Sequence, residues 1–555
     1  MNLDNAFFSS CLDVARERCT GSPVSPTKTK DVPEDILLPY PGALSDFYGL
    51  PSNPICVYRT GAEWPMPKDP QAQRVPREAR PICNHPIRAI WPTLGEQVYE
   101  FLDSLDVKWS TIDPVRFAEE GGNPSLLHLW VGVDPGSLSL KNAKAAAIGC
   151  KQILAAAQFP DVEIAFRESV FTQSTGPQLL NHILSVDPTS DIRSPFTGTL
   201  GIQIAPRNTP YLEGTGALYL CEGGQSDRIF LLTARHVPLP PSVHRNKLYE
   251  RKSSKQRRHE VLILGSKAYQ DALEDMMVKI GHECIFVDQY KRELAVLGEG
   301  EDATITATRQ EYKDMLTRAE KTITAIDKFH SEITKHWSTS TLRVLGYVVH
   351  APPISVSTGS EKFTEDWALI DLYRDKIDWN MFKGNVVHLG NKISVPDFVL
   401  KMHPHPKGRS SFKYPVGGLL QVTDVIEEHE IRQPTLLDAN GEECLIVIKN
   451  GRSTGVTIGR GTGIESFVRE YDEYGIKSTS MALAIHSYSH KDGAFSAPGD
   501  SGSIVVDGQG RIVGMLIGGS GTNDSTDVTY LTPYFWLEEQ IKKAFPNSYL
   551  YMIKE

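Results

Sequence analysis

The sequence predicts a mainly β chain: a large all-β domain, preceded by a small α/β domain and interrupted by a helical hairpin. Three observations predict it. Short β-branched runs alternate with glycine and turn residues from about residue 198 onward; an alanine-rich helical stretch lies between two apolar runs before residue 172; and residues 246–337 follow helical spacing instead. A chain of 555 residues exceeds one ordinary core, so more than one domain is expected.

The first 85 residues are rich in proline and polar residues, as in Pro39-Tyr40-Pro41-Gly42 and Glu63-Trp64-Pro65-Met66-Pro67, and read as an irregular arm. From residue 86 to 172 the pattern is that of a small α/β domain. Leu94, Val98, Phe101, Leu102 and Leu105 recur at helical spacing, 126–133 and 162–166 look like buried strands, and 140–157 is helical with Ser139 as its cap. Residues 173–197 read as a polar linker. Strand-like runs follow at 199–204, 216–220, 229–233, 344–349, 367–372, 419–425, 445–449, 482–486, 503–506 and 511–517, which fits a barrel or sandwich. Within 246–337, Leu273, Met276, Ile280, Cys284, Val287 and Leu294 form one helical face. Tyr312, Leu316, Ala319, Ile323, Ile326 and Ile333 form another, with Gly298-Glu299-Gly300-Glu301 as the turn.

Composition narrows the function classes. With 40% hydrophobic residues, 23% charged residues and a net charge of −10, the chain has no general pull towards nucleic acid or anionic membranes. The basic run from Arg245 to Arg258 is offset by acidic neighbours. No stretch approaches the roughly 18 apolar residues of a spanning helix, and the amino terminus lacks a secretory pattern. The eight cysteines are scattered without a CxxC pair, so a reducing, intracellular setting with thiols is expected. His403-Pro404-His405-Pro406 lacks the carboxylates of a metal site, and Gly459-Arg460-Gly461-Thr462-Gly463 is not a dinucleotide fingerprint. No metal and no cofactor is expected. Asn523-Asp524-Ser525 is a glycosylation sequon only in a secreted chain.

Three segments carry chemistry. In Ala497-Pro498-Gly499-Asp500-Ser501-Gly502-Ser503, glycines bracket a serine, freeing the backbone for a tight turn and a close approach. A serine hydroxyl needs a base to take its proton and donors for the developing oxyanion, and the amides of Gly499 and Ser501 suit the second need. The same composition also serves as a plain turn between strands. In Phe230-Leu231-Leu232-Thr233-Ala234-Arg235-His236, an apolar strand ends on a histidine suited to a general base. In Asp366-Trp367-Ala368-Leu369-Ile370-Asp371-Leu372, Asp366 precedes a buried run and can orient the imidazole; Asp371, inside the run, is the other candidate. With 246–337 set aside, His236 and Asp366 come within the reach of two neighbouring strands.

Together these segments resemble the His, Asp and Ser motifs of chymotrypsin-like (trypsin-like) serine peptidases, and the Lys449-to-Gly459 stretch is similar to a glycine-threonine strand of their second barrel. The resemblance spans about residues 198–545 and implies a double β-barrel with the site in the cleft between barrels. It implies His236 as base, Asp366 as its orienter, Ser501 as nucleophile, Gly499 and Ser501 as oxyanion donors, and Phe495 at the floor of a specificity pocket walled by Gly518 and Gly519. With no acid at that floor, a small or apolar side chain is expected there. No cysteine flanks His236 or follows Ser501, Ser503 replaces a glycine, and no Arg-Ile-Val-Gly-Gly activation segment precedes residue 200. In this the chain is similar to intracellular fungal members with a large amino-terminal region. The resemblance implies a protein or peptide substrate, including the chain's own amino-terminal region, which is a prodomain or a docking module. A catalytically silent relative acting as a binding scaffold is the rival reading, and the helical insertion is a candidate for partner recruitment.

Overall fold

The computed structural model describes residues 5–20, 54–62, 77–82, 85–119, 122–134, 136–169, 176–253, 256, 258–298, 302–390, 392–405, 412–438, 440–471, 477–521 and 526–552. Pro39–Gly42, Glu63–Pro67, the turn residues Glu299–Glu301, Pro406 and the sequon Asn523–Ser525 lie outside the described residues. The chain divides into two compact units, one formed by Met1–Ser22 with Thr175–Glu555 and the other by Pro23–Ser174.

The smaller unit is a five-stranded sheet ordered Cys56–Arg59, Glu163–Glu168, His128–Val133, Trp109–Glu119, Arg77–Arg80. Its one parallel pair, His128–Val133 with Glu163–Glu168, is joined by the helix Leu140–Ala156, as a parallel connection requires. Ser139 caps that helix by accepting from the Asn142 amide at 3.3 Å. The helix Trp91–Ser104 packs beside it, and at Gly149 a Cβ would fall 2.1 Å from the Phe101 ring, so glycine is what allows the two helices to meet. Leu94, Val98 and Leu102 join Ala146, Cys150, Leu129, Val131, Ile164 and Phe166 in one core. The strands Cys56–Arg59 and Arg77–Arg80 extend this sheet at both edges, so the unit begins before residue 86 and takes in part of the stretch expected to be irregular.

The larger unit contains two rings of strands. In the first, Ile229–Thr233 pairs with Tyr219–Cys221 and Ala368–Leu372; the ladder continues through Val344–Ala351, Glu260–Ile263 and Gln203–Pro206 to Gly214–Thr215, which runs on into Tyr219–Cys221 and closes the ring. In the second, Leu445–Gly451, Gly455–Gly461, Lys477–Ser487, Val528–Pro533, Arg511–Ser520 and Ile504–Asp507 pair in turn, and the last pairs back to the first. This is a mainly β, chymotrypsin-like double barrel. Closure removes the exposed edges that an open sheet of such apolar strands would present.

Two long helices, Ser266–Leu297 and Ala303–Trp337, leave the first barrel between Glu260–Ile263 and Val344–Ala351. Those two strands pair with each other, so the hairpin projects without breaking the ladder. The insertion is therefore shorter than 246–337: Glu260–Ile263 is a barrel strand, and Tyr249–Glu250 pairs alongside Val344–Ala351. Met276, Ile280 and Val287 meet Ala319, Ile323, Ile326 and Ile333 along a buried seam, as helical spacing requires. The helix Asn5–Thr20 also belongs here, where an irregular arm was expected. A Cβ on Gly281 would lie 2.2 Å from the Cys11 carbonyl oxygen and 2.6 Å from the Ala15 Cβ, and Arg18 reaches Asp275 at 2.5 Å. The expected linker is folded from Gly176 on: Leu180 donates to the Phe196 carbonyl at 2.8 Å, and Phe196 is buried edge-on against Trp337.

Candidate active site

The strand Ile229–Thr233 is buried along its whole length and ends in the turn that carries His236. Arg235 fixes that turn from within. Its guanidinium is buried and donates to the carbonyls of Ala351 at 3.0 Å, Lys247 at 3.0 Å and Arg245 at 3.2 Å. Burial alone would leave a charge without water, and the three carbonyls replace it. The neighbouring strand Ala368–Leu372 is in register with Ala368 opposite Thr233. Antiparallel pairing then sets the residues before Ala368 beside those after Thr233, and Asp366 meets His236. Asp366 Oδ2 lies 2.6 Å from His236 Nδ1, while Oδ1 accepts from the His236 backbone amide at 3.2 Å. Burial opposes the ionised form of Asp366, but the His236 charge and hydrogen bond, with the amides of His236 and Arg235, outweigh it, so the carboxyl is held below its ordinary value.

Asp371, the other candidate, occupies the far part of the same strand. It sits opposite Phe230, accepts from the Tyr347 hydroxyl at 2.8 Å and has Arg228 at 3.6 Å. Burial pushes its carboxyl up. It is therefore not the partner of His236.

Ser501 comes from the second barrel and is fastened to the first. Its carbonyl accepts from the Thr215 amide at 2.9 Å, and the Thr215 hydroxyl donates to the Gly499 carbonyl at 3.0 Å. Thr233, three residues before His236, donates its hydroxyl to the Thr215 carbonyl at 2.7 Å. Gly502 has φ +88°, and a Cβ there would fall 2.2 Å from the Thr215 carbonyl oxygen and 2.4 Å from the Thr233 hydroxyl. Only glycine lets the serine segment press this closely on the chain that bears His236. Gly499, at φ +99°, turns the backbone on the other side of Ser501. Among the described residues, the Gly499 and Ser501 amides meet no backbone acceptor, whereas those of Asp500, Gly502 and Ser503 donate to the carbonyls of Ala497, Leu516 and Asp500.

The pocket residues are placed differently from one another. Gly518 and Gly519 lie towards the end of the strand Arg511–Ser520, opposite Tyr530 and Thr529. The Phe495 ring, expected at a pocket floor, is buried in the second barrel with Val447, Leu483, Ile485 and Val505, and it presses on Gly459, where a Cβ would stand 2.7 Å away. An apolar ring gains more from that core than from a wetted cleft. Beside it, the Ser496 hydroxyl lies 2.6 Å from that of Thr529 and 3.2 Å from that of Thr526.

Sequence reasoning missed the residues that hold the serine loop. Asp500 is fully buried, and Lys449, also fully buried, lies 3.2 Å from it. A lysine inside a β run reads as an outward-facing residue; its signal was the unbroken apolar company of Ile446-Val447-Ile448 on one side and glycine turns on the other. Among the described residues, no group of three or more His, Cys, Asp or Glu is placed to hold a metal ion. Also among them, no helix is long and apolar enough to cross a membrane.

No protein-family model and no curated protein matches the chain. Solved structures that resemble it include proteases. A glutamic acid specific serine protease, described as using a histidine triad in substrate binding, shares 12% identity over 64% of this chain and 100% of its own, with a TM-score of 0.28. A Cellulomonas bogoriensis chymotrypsin shares 16% over 37% of this chain and 76% of its own, with a TM-score of 0.20. A protease of M. tuberculosis in its active form shares 10% over 68% and 92%, with a TM-score of 0.22. These likenesses are too distant to carry the fold, which stands on the strand pairing of the two barrels.

Proposed function

We propose that this chain is a serine endopeptidase that hydrolyses peptide bonds through an acyl-enzyme. The observation that carries the reading is the buried Asp366 held 2.6 Å from His236 Nδ1, next to a glycine-flanked serine laced to the same strand end. With Nδ1 occupied as donor to Asp366, the imidazole keeps Nε2 as acceptor. Ser501 Oγ attacks the scissile carbonyl as its proton passes to His236 Nε2; the resulting imidazolium is stabilised by Asp366, and the oxyanion by the amides of Gly499 and Ser501. Collapse of the adduct returns the proton to the leaving amine, and a water activated by the same histidine releases the acyl group. The proposed action is on protein or peptide substrates and is regulatory and intracellular in setting.

A fluorophosphonate, which captures an activated serine, tests the reading. Labelling of the wild type and not of Ser501→Ala is expected. A wild type that stays unlabelled, or equal labelling of both, would leave the binding-scaffold reading standing instead.

The pocket reading is of a small side chain before the scissile bond. A Cβ on Gly519 would meet the Thr526 methyl at 2.1 Å, so Thr526 fills the space beside that wall. Thr526→Gly is expected to raise kcat/KM for substrates with a larger side chain there by about tenfold, the worth of a methylene or two in a pocket. A peptide-library profile that stays unchanged in the variant would remove Thr526 from the pocket.

Self-processing between residues 173 and 197 belongs to the same reading. From Gly176 the stretch is held on the first barrel, with Leu179 donating to the Lys376 carbonyl at 2.7 Å and Phe196 buried. Bonds held in this way enter a cleft only after local unfolding, so a cut within 176–197 is expected only once that stretch opens. Intact-mass measurement of wild type and Ser501→Ala checks it; an active wild type that remains whole would overturn it.

A further inference from the structure

The sharpest polar cluster outside the triad is the one around Asp500. The side chains of Lys449 and Asp500 are both at 0% exposure, with the ammonium 3.2 Å from Oδ2. Burying two opposite charges is costly unless the geometry is good and the remaining hydrogen-bond capacity is used. Here it is used on both sides. Asp500 accepts from the amides of Ser453 at 2.7 Å, Ala497 at 3.0 Å and Thr454 at 3.3 Å, and from the Thr454 hydroxyl at 2.7 Å. Lys449 donates to the Thr454 hydroxyl and, at 3.1 Å, to the Gly455 carbonyl, and lies 5.6 Å over the Phe495 ring.

The donors come from two places. Lys449, Ser453 and Thr454 belong to the hairpin joining Leu445–Gly451 to Gly455–Gly461, and Ala497 belongs to the serine loop itself. Asp500 is thus a clasp between a rigid barrel hairpin and the loop that presents the oxyanion amides. Gly451 is shaped to it, since a Cβ there would fall 2.4 Å from Asp500 Oδ1. The Ser453 hydroxyl adds a second fastening to the Pro498 carbonyl at 2.5 Å.

We propose that Lys449 is a positioning residue: its ammonium, acting through Asp500, holds the Ala497–Asp500 loop with the Gly499 amide turned towards the developing oxyanion. The clasp is made by side chains and backbone groups of the second barrel itself, so no newly made chain end is required to set the loop. This rests on the serine-hydrolase reading. It adds that the oxyanion site is assembled by folding alone and is present before any cleavage of the chain.

Lys449→Met removes the ammonium and keeps the stem. After active-site titration to correct for folded fraction, kcat for a peptide ester is expected to fall about 100-fold, the scale of losing an oxyanion donor, with KM within about threefold. A peptide aldehyde, whose adduct carries the oxyanion, should weaken in parallel, while a non-covalent peptide inhibitor should not. Lys449→Arg should recover most of the rate. Where the single variant does not fold because Asp500 is left charged and buried, Lys449→Met with Asp500→Asn supplies a neutral pair, and its kcat should still be low. A folded Lys449→Met or double variant as active as the wild type would overturn the proposal. So would parallel losses in kcat, aldehyde binding and peptide binding that Arg does not relieve. A wild type without turnover or fluorophosphonate labelling fails the hydrolase reading itself, which separates the two.

Discussion

Ser501→Ala is expected to lower kcat on the order of 10⁶-fold while leaving KM and the thermal midpoint nearly unchanged. The rate falls because the alanine methyl has no lone pair to attack a carbonyl and no proton for His236 to take. The fold is spared because Ser501 is held through its backbone: its carbonyl accepts from the Thr215 amide at 2.9 Å, and the following amide, of Gly502, donates to the Leu516 carbonyl at 2.8 Å. Neither bond involves the side chain, so the stability change should stay within about 0.5 kcal/mol. Steady-state kinetics beside calorimetry checks both halves. A variant that loses activity only in proportion to lost folding would make Ser501 a structural residue.

Asp366→Asn is expected to cost about 10⁴-fold in kcat. The asparagine fits the same space, yet it can turn its NH₂ towards His236 Nδ1, which must then accept. That places the imidazole proton on Nε2, the nitrogen that has to receive the serine proton. The pH dependence follows from the direction of the Asp366 shift. Its folded pKa lies below the ordinary carboxylate value of about 3.9, so the stability it contributes is fully present above that value and is lost as pH falls through the lower, folded one. Asp366 is therefore already ionised around neutral pH, and an acid limb of kcat/KM there is expected to come from another group. A proton-NMR titration of the His236 ring in wild type and Asp366→Asn separates the two groups. An acid limb that moves with Asp366 alone would contradict this assignment.

What could be seen in the sequence was whatever a short window can hold. Ile229–Leu232 is apolar with a histidine four residues on at 236, and Asp366 abuts an apolar run, so both strand ends were visible and the register did the rest. The hairpin was visible for a similar reason: Met276, Ile280, Ile323 and Ile326 repeat at helical steps, and they are the residues that become buried. The helix Asn5–Thr20 was not visible, because its contact face includes Cys11 and Ala15, small residues that give little hydrophobic signal, and proline-rich chain follows it. Arg77–Arg80, with two arginines and a glutamate, reads as solvated chain and becomes a strand only because Trp109–Glu119 offers it an edge. Phe495 shows the limit of carrying a role across by position, since its ring is packed into the core of the second barrel. Lys449 and Asp500 are far apart in sequence, and nothing local distinguishes a lysine that will be buried with a partner from one that will be solvated.

Because Met1–Ser22 and Thr175–Glu555 fold together, the segment between them is anchored at both of its ends. After a single backbone break in it, one product stays covalently part of the larger unit and the other is held through the Asn5–Thr20 helix. The two products remain one particle, joined by the seat of the Asn5–Thr20 helix where Cys11 and Ala15 rest on Gly281. Covalent attachment is then exchanged for a binding equilibrium, sensitive to dilution and to anything that competes for a sixteen-residue helix. After one break, release of that helix from its seat is enough for the pieces to part.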